Sequence, residues 1–150
     1  MGNLFNKDFN DFLQLLEKHG VAYILVGGYS VVLHGYPRTT GDLDLWIKPS
    51  KVNYSLLGKV FEEFGMPIMK EEDFLASEFD VFTYGRPPQA IDIMTQCKGL
   101  LFEMAFDNSK KVQVDDLNIR LIAYADLIIA KKSAGRFKDL NDIEHLESKE

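Results

Sequence analysis

Cysteine is almost missing from this 150-residue sequence; Cys97 stands alone and can form no internal disulfide. Nothing in the chain therefore calls for an oxidising compartment, and the cytoplasm is the expected location. Long apolar runs are missing as well. The stretch 119–130 is interrupted by Arg120 and Asp126, so no segment is long and apolar enough to span a bilayer. The opening MGNLFNKDF has no cationic segment leading into an apolar one, so no secretory signal is read there. Gly2 is followed by Phe5 and Asn6, without the hydroxyl residue that a myristoylation signal needs. Positive charge is in deficit: 17 Lys and Arg against 23 Asp and Glu leave a net −6. Modules that grip duplex nucleic acid through its phosphates are usually basic, so bulk nucleic-acid affinity is disfavoured, although a local basic patch is not. His19, His34 and His145 are scattered and assemble no zinc set. With no repeat, low-complexity tract or linker, the chain reads as one domain over residues 1–150.

What is present is an ordinary globular balance, 46% hydrophobic and 27% charged. Apolar spacing predicts a helix over 8–19, with Phe9, Phe12, Leu13 and Leu16 inward and Gly20 beyond its end. VAYILV over 21–26 reads as a strand, and YSVVLHG over 29–35 as about two turns of helix. The loop YPRTTG leads into a strand over 42–47, then a helix over 54–65. Residues 66–78 have no clear pattern. Strands over 81–85 and 90–95 flank Arg86-Pro87-Pro88-Gln89, a connection suited to an antiparallel pair. A short helix over 99–107, a hairpin within 111–122 and helices over 123–133 and 138–147 complete the order. The expected class is α+β (mixed α/β), a small mixed sheet covered by helices and closed by C-terminal helices.

The pattern DLDLWI puts Asp42 and Asp44 on one face of a strand, with Leu43, Leu45 and Ile47 on the other. Trp46 shares the acidic face, where it can fill the floor below. AIDIMT sets Asp92 between two inward isoleucines. If the two strands are neighbours, three carboxylates meet at one rim, an arrangement that is costly without a cation or hydrogen bonds. Hard oxygen ligands of this kind suit magnesium, with manganese as the alternative. Upstream, Gly27-Gly28 ends a strand and opens a helix, leaving backbone N–H groups able to receive phosphate. Ser30 can add a hydroxyl.

The segment VGGYSVVLHGYPRTTGDLDLWI resembles the signature of the polymerase-beta-type nucleotidyltransferase superfamily: a glycine turn, a short helix, Asp-x-Asp on a strand, and a later single carboxylate. The likeness covers roughly residues 20–95. It implies that Gly27 and Gly28 support nucleotide phosphates and that Asp42, Asp44 and Asp92 bind the catalytic metals. Many members carry Gly-Ser at the turn where this chain has Gly-Gly. The closing DLIIAKKSAGRFKDLNDIEHL resembles the small bacterial branch related to AbiEii-type toxins, which implies nucleotide transfer in toxin–antitoxin or phage-defence settings, with a toxin or antitoxin partner.

Arg38, just before the acidic strand, can hold a phosphate or pair with a carboxylate such as Asp42. Lys131 and Lys132 end a helix, where cations meet the last carbonyls. Together with Arg136 and Lys138, Lys131 can also reach a triphosphate or an acceptor. Asp139 and Asp142 share a helix face and are expected to pair with these bases or to cap the helix. Tyr29, Tyr36 and Trp46 are candidates for a base pocket or for plain core; His34 is expected to pack and bond to backbone. The reading is a magnesium-dependent transfer of a nucleoside monophosphate from an NTP to a hydroxyl on tRNA, protein or a small molecule. A second subunit closing the cleft would fit so short a chain. The alternatives are a noncatalytic nucleotide- or partner-binding protein and a two-metal nuclease; the nuclease lacks the usual acid-x-Lys strand and gives the glycine turn no purpose.

Overall fold

A computed structural model describes residues 3–76 and 81–148. Gly2 and residues 77–78 of the unpatterned stretch lie outside the described residues. Helix α1 (Lys7–Lys18) starts where the Asn6 side chain accepts a hydrogen bond from the Phe9 N–H at 2.8 Å, and buries the four apolar residues predicted. Strand β1 (Tyr23–Val26) is buried on both faces and runs without a loop into α2 (Gly27–Leu33). This helix begins two residues earlier than the pattern predicts, because Gly27 takes φ +70° and turns the chain directly out of the strand. Strand β2 (Leu43–Ile47) leads to α3 (Lys51–Phe64), capped by Ser50 and stopped by Gly65 in the left-handed region. Within the unpatterned stretch lies a one-turn helix, α4 (Glu71–Leu75), pinned by the buried Phe74.

The strand pair β3 (Val81–Tyr84) and β4 (Ile91–Met94) is antiparallel, as its proline-containing connection suggests. Helix α5 (Phe102–Asn108), the hairpin β5 (Lys110–Val114) and β6 (Leu117–Leu121), then α6 (Tyr124–Ala134) and α7 (Phe137–Glu147) follow. The six strands form one mixed sheet in the order β3-β4-β2-β1-β6-β5. Parallel pairs are β2 with β4 and β1 with β6; the others are antiparallel.

Strand alternation assigns the two faces. Leu43, Leu45 and Ile47 are fully buried on the face that carries α3, whose Phe61 ring lies 4.9 Å from that of Tyr84. Phe12 of α1 meets Phe61 edge-on at 5.5 Å, which extends that core layer. The opposite face carries Asp44 and Trp46. Trp46 is buried there under Phe102 of α5, ring centroids 5.2 Å apart, so the far end of this face is sealed and the Asp44 end stays open. Among the described residues no helix is long and apolar enough to cross a membrane.

Candidate active site

The site grows from one register. Parallel pairing of β2 with β4 sets Asp44 directly beside Asp92, while antiparallel pairing with β1 sets Val26, the last residue before the glycine turn, on the other side of Asp44. Asp42 lies one step before β2 on the same side of the chain. Its Oδ1 accepts the Ala90 N–H at 2.9 Å, tying the entry of β2 to the entry of β4. All three carboxylates line one cleft of about 740 Å³, together with Gly27 and Gly28.

These acids are under electrostatic load. Burial pushes the Asp44 carboxyl up to about 7, and the charges of Asp92 and Asp42 add to the rise, as does a hydrogen bond shared with Asp92; the N–H of Gly28, donated to Asp44, opposes it. Asp92 keeps its Oδ1 buried with no hydrogen-bond partner. A solvated surface acid has no such orphaned oxygen. Among the described residues, no three His, Cys, Asp or Glu side chains stand together as a preformed metal cage.

The glycines are required by the acids. A Cβ on Gly27 would run into the Asp44 side chain, reaching within 2.6 Å of its Cγ. One on Gly28 would strike Thr40, within 3.0 Å of its Cβ, with the Arg38 guanidinium just beyond. The turn is thus pressed against the acidic strand on one side and the 36–42 loop on the other.

A cationic wall faces this turn. Arg38 forks onto Asp142 of α7, Nε to Oδ1 at 2.8 Å and Nη2 to Oδ2 at 3.0 Å, and its Nη1 donates to the Thr39 carbonyl at 3.0 Å. Lys131 sits between Asp142 at 3.0 Å and Asp139 at 3.2 Å. Arg136 donates through Nε to Asp139 Oδ2 at 2.6 Å, and its backbone N–H reaches the same carboxylate, which caps α7. Although burial works against it, hydrogen bonds from Arg136 and Lys131 hold the Asp139 carboxyl below the usual range. Two buried carboxylates therefore anchor three cations, and one net positive charge is left along the wall.

Residues 4–148 match the profile of a protein family described as "Nucleotidyltransferase of unknown function (DUF6036)". The chain belongs to that family. Among solved structures, the lincomycin-bound lincosamide antibiotic adenylyltransferase LnuA is similar at TM-score 0.62 and 20% identity, over 98% of this chain and 99% of that one. A Thermotoga maritima protein described as a candidate nucleotidyltransferase is similar at TM-score 0.60 and 14% identity, over 95% and 91% of the two chains. At these identities the likeness is one of fold. No curated protein matches the sequence. Family and fold together support a general nucleotidyltransferase-type role, and they agree with the polymerase-beta-type resemblance; the AbiEii-related branch is a finer matter.

For this nucleotidyltransferase-family chain, the structure brings Gly27, Gly28, Arg38, Asp42, Asp44, Asp92, Lys131 and Arg136 into a single cleft. Ser30 does not line it. The Ser30 hydroxyl is fully buried and donates to the Gly27 carbonyl at 2.6 Å, so it steadies the turn from behind. Arg38 pairs with Asp142, not Asp42, because the C-terminal helices fold back over the 36–42 loop. None of the three aromatic candidates lines the cleft. Tyr29 packs between Phe5 and Phe9, Trp46 lies under Phe102, and Tyr36 stacks on His145 at 4.3 Å. His34 packs as expected, its Nε2 2.7 Å from the Ile122 carbonyl oxygen. Sequence reasoning missed Thr40 as the neighbour of Gly28, and Val81, Pro88 and Met94 as cleft residues. A strand residue facing outward beside Asp92 was the available signal for Met94; the others depend on strand order.

Proposed function

We propose that this chain transfers a nucleoside monophosphate from an NTP to an acceptor hydroxyl and releases pyrophosphate. The observation that carries the reading is Asp44 beside Asp92 in parallel register, opening onto the Gly27-Gly28 turn. The hydroxyl oxygen forms a bond to the α-phosphorus, the bond from that phosphorus to the β-phosphate bridging oxygen breaks, and the hydroxyl proton leaves to a base. The Asp92 carboxylate, which lines the cleft beside Asp44, is the group proposed to take that proton. Arg38 and Arg136 offer guanidinium groups to the triphosphate across from the acids.

The acids fit a divalent cation, and magnesium, or manganese in its place, belongs to this proposal. An orphaned carboxylate oxygen on Asp92, an Asp44 whose charge is disfavoured without compensation, and the second oxygen of Asp42 are hard donors of the right kind. When bound, the cation supplies charge neutralisation for the phosphates and acidifies the attacking hydroxyl. A tRNA, protein or small-molecule acceptor, a second copy closing the cleft, and a cytoplasmic toxin–antitoxin setting suggested by residues 126–146 are further parts of the proposal.

Incubation with NTPs labelled at the α-phosphate, magnesium and cell extract tests it. The expected result is label on an acceptor together with pyrophosphate, and loss of both in Asp44→Asn and Asp92→Asn. Nucleic acid shortened without NTP consumption would establish the nuclease instead. Nucleotide retention without turnover would establish a binding protein.

A further inference from the structure

We propose that the acceptor is a small, neutral or cationic organic molecule seated on the β3 side of Asp92, against Val81, Met94 and Pro88. This rests on the nucleotidyl transfer proposed above and adds the class of the second substrate. Strand order makes the cleft electrically lopsided. On the β1 side of Asp44 stand the glycine turn and Arg38, while the cationic wall from α6 and α7 lies over the cleft and reaches the segment after β4, where Gly99 meets Ser133 and Ile129. On the other side come Asp92, then β3. Antiparallel register sets Thr83 beside Asp92 and Val81 beside Met94, all on the cleft face, since Phe82 and Tyr84 turn into the core. The Pro87-Pro88 turn joins these strands and lines the cleft next to Gly41, where a Cβ would meet Pro88.

The chemistry of that side selects its occupant. Val81 is 46% exposed and Met94 half buried, giving an accessible apolar ledge across the edge strand β3 and its neighbour β4. Asp42 and Asp92 border it, and the whole chain carries −6. An anionic acceptor would meet repulsion there. Nucleic acids gain affinity from several Lys or Arg side chains spaced along the backbone. The cations that line the cleft from outside the paired wall are Lys98, four residues after Met94, and Lys138 on α7; two such side chains make no extended basic track. The whole cleft, about 740 Å³, must seat the nucleotide as well, so the space beside β3 suits a compact acceptor. It offers a compact molecule an apolar seat and brings its hydroxyl toward the Asp92 carboxylate that lines the cleft.

The test separates acceptor from reaction. The full chain is incubated with α-labelled NTPs and magnesium, and separately with purified cellular RNA, a protein fraction and a low-molecular-mass filtrate. Label is expected in a filtrate compound that carries no phosphate of its own. Val81→Lys places a cation on the exposed edge position, where lysine is well tolerated, and is expected to raise the filtrate acceptor's KM roughly tenfold while leaving the NTP KM unchanged. Label on RNA or protein, or stronger RNA labelling by Val81→Lys, would overturn the acceptor class while leaving nucleotidyl transfer standing. No label and no pyrophosphate with any fraction would remove the underlying transfer reading, and this inference with it.

Discussion

Asp44 carries the electrostatic tension of the site. In water an aspartate ionises near 4, whereas burial and two acidic neighbours push this one up to about 7. The folded protein therefore holds the Asp44 proton more tightly than the unfolded chain does. Below pH about 4 both states are protonated and the residue costs nothing. Between pH about 4 and about 7 the unfolded chain loses its proton first, so stability falls as pH rises, and above about 7 the full cost is present. Asp44→Asn removes that cost. Without divalent metal the variant is expected to exceed the parent by up to about 4 kcal/mol at pH 8 and to match it at pH 3, as urea unfolding at the two pH values would show. Equal stability at both would mean that Asp44 does not bear the burial and acidic crowding described here.

At the scale of elements, α7 is the clamp. Its Asp142 is almost fully buried and serves two cations from different parts of the chain, Arg38 in the 36–42 loop and Lys131 in α6. Removing the shared carboxylate leaves Arg38 without an acidic partner and Lys131 with Asp139 alone, whereas removing Arg38 leaves Asp142 paired with Lys131. Asp142→Ala is accordingly expected to cost roughly 3–5 kcal/mol, the usual loss when one member of a buried pair is deleted. Arg38→Met should cost clearly less, because that guanidinium is partly solvated and Asp142 keeps a partner. Denaturant midpoints at fixed pH would rank the two variants; negligible loss in both would show that α7 is held by packing alone. The spacing of Asp139 and Asp142 foretold pairing with nearby bases, and Lys131 and Arg136 supply it locally. The partner 104 residues upstream was not legible, because no local pattern ties a loop arginine to a distant helix.

For the molecule as a whole, a divalent ion joining the acids would convert their repulsion into stability. Ligand that binds only the native state adds about 2.7 kcal/mol at a hundredfold excess over Kd. For a chain of this length that corresponds to a rise of roughly 5–10 °C in Tm. Magnesium is expected to produce such a rise at pH 8, a smaller one at pH 5, where Asp44 keeps its proton, and almost none in Asp92→Asn. Thermal melts with and without chelator measure it. A rise of equal size in Asp92→Asn would place the ion elsewhere on the acidic surface.

Sequence alone determined most of the elements, α4 excepted, and the facing of the acidic strand. Alternation assigned Leu43, Leu45 and Ile47 to the core and Asp44 to the open face, since a strand's side chains must alternate whatever surrounds it. Helical periodicity likewise marked the buried face of α1. Tertiary structure decided what meets what. The adjacency of β2 and β4, which joins Asp44 to Asp92, and the fold-back of α7 onto Arg38 arise from sheet order and helix packing. The early start of α2 at Gly27 and the retreat of Ser30 behind the turn follow from how tightly that turn presses on Asp44 and Thr40. Local patterns report which way a side chain faces; only the closed packing of the whole chain selects its neighbours.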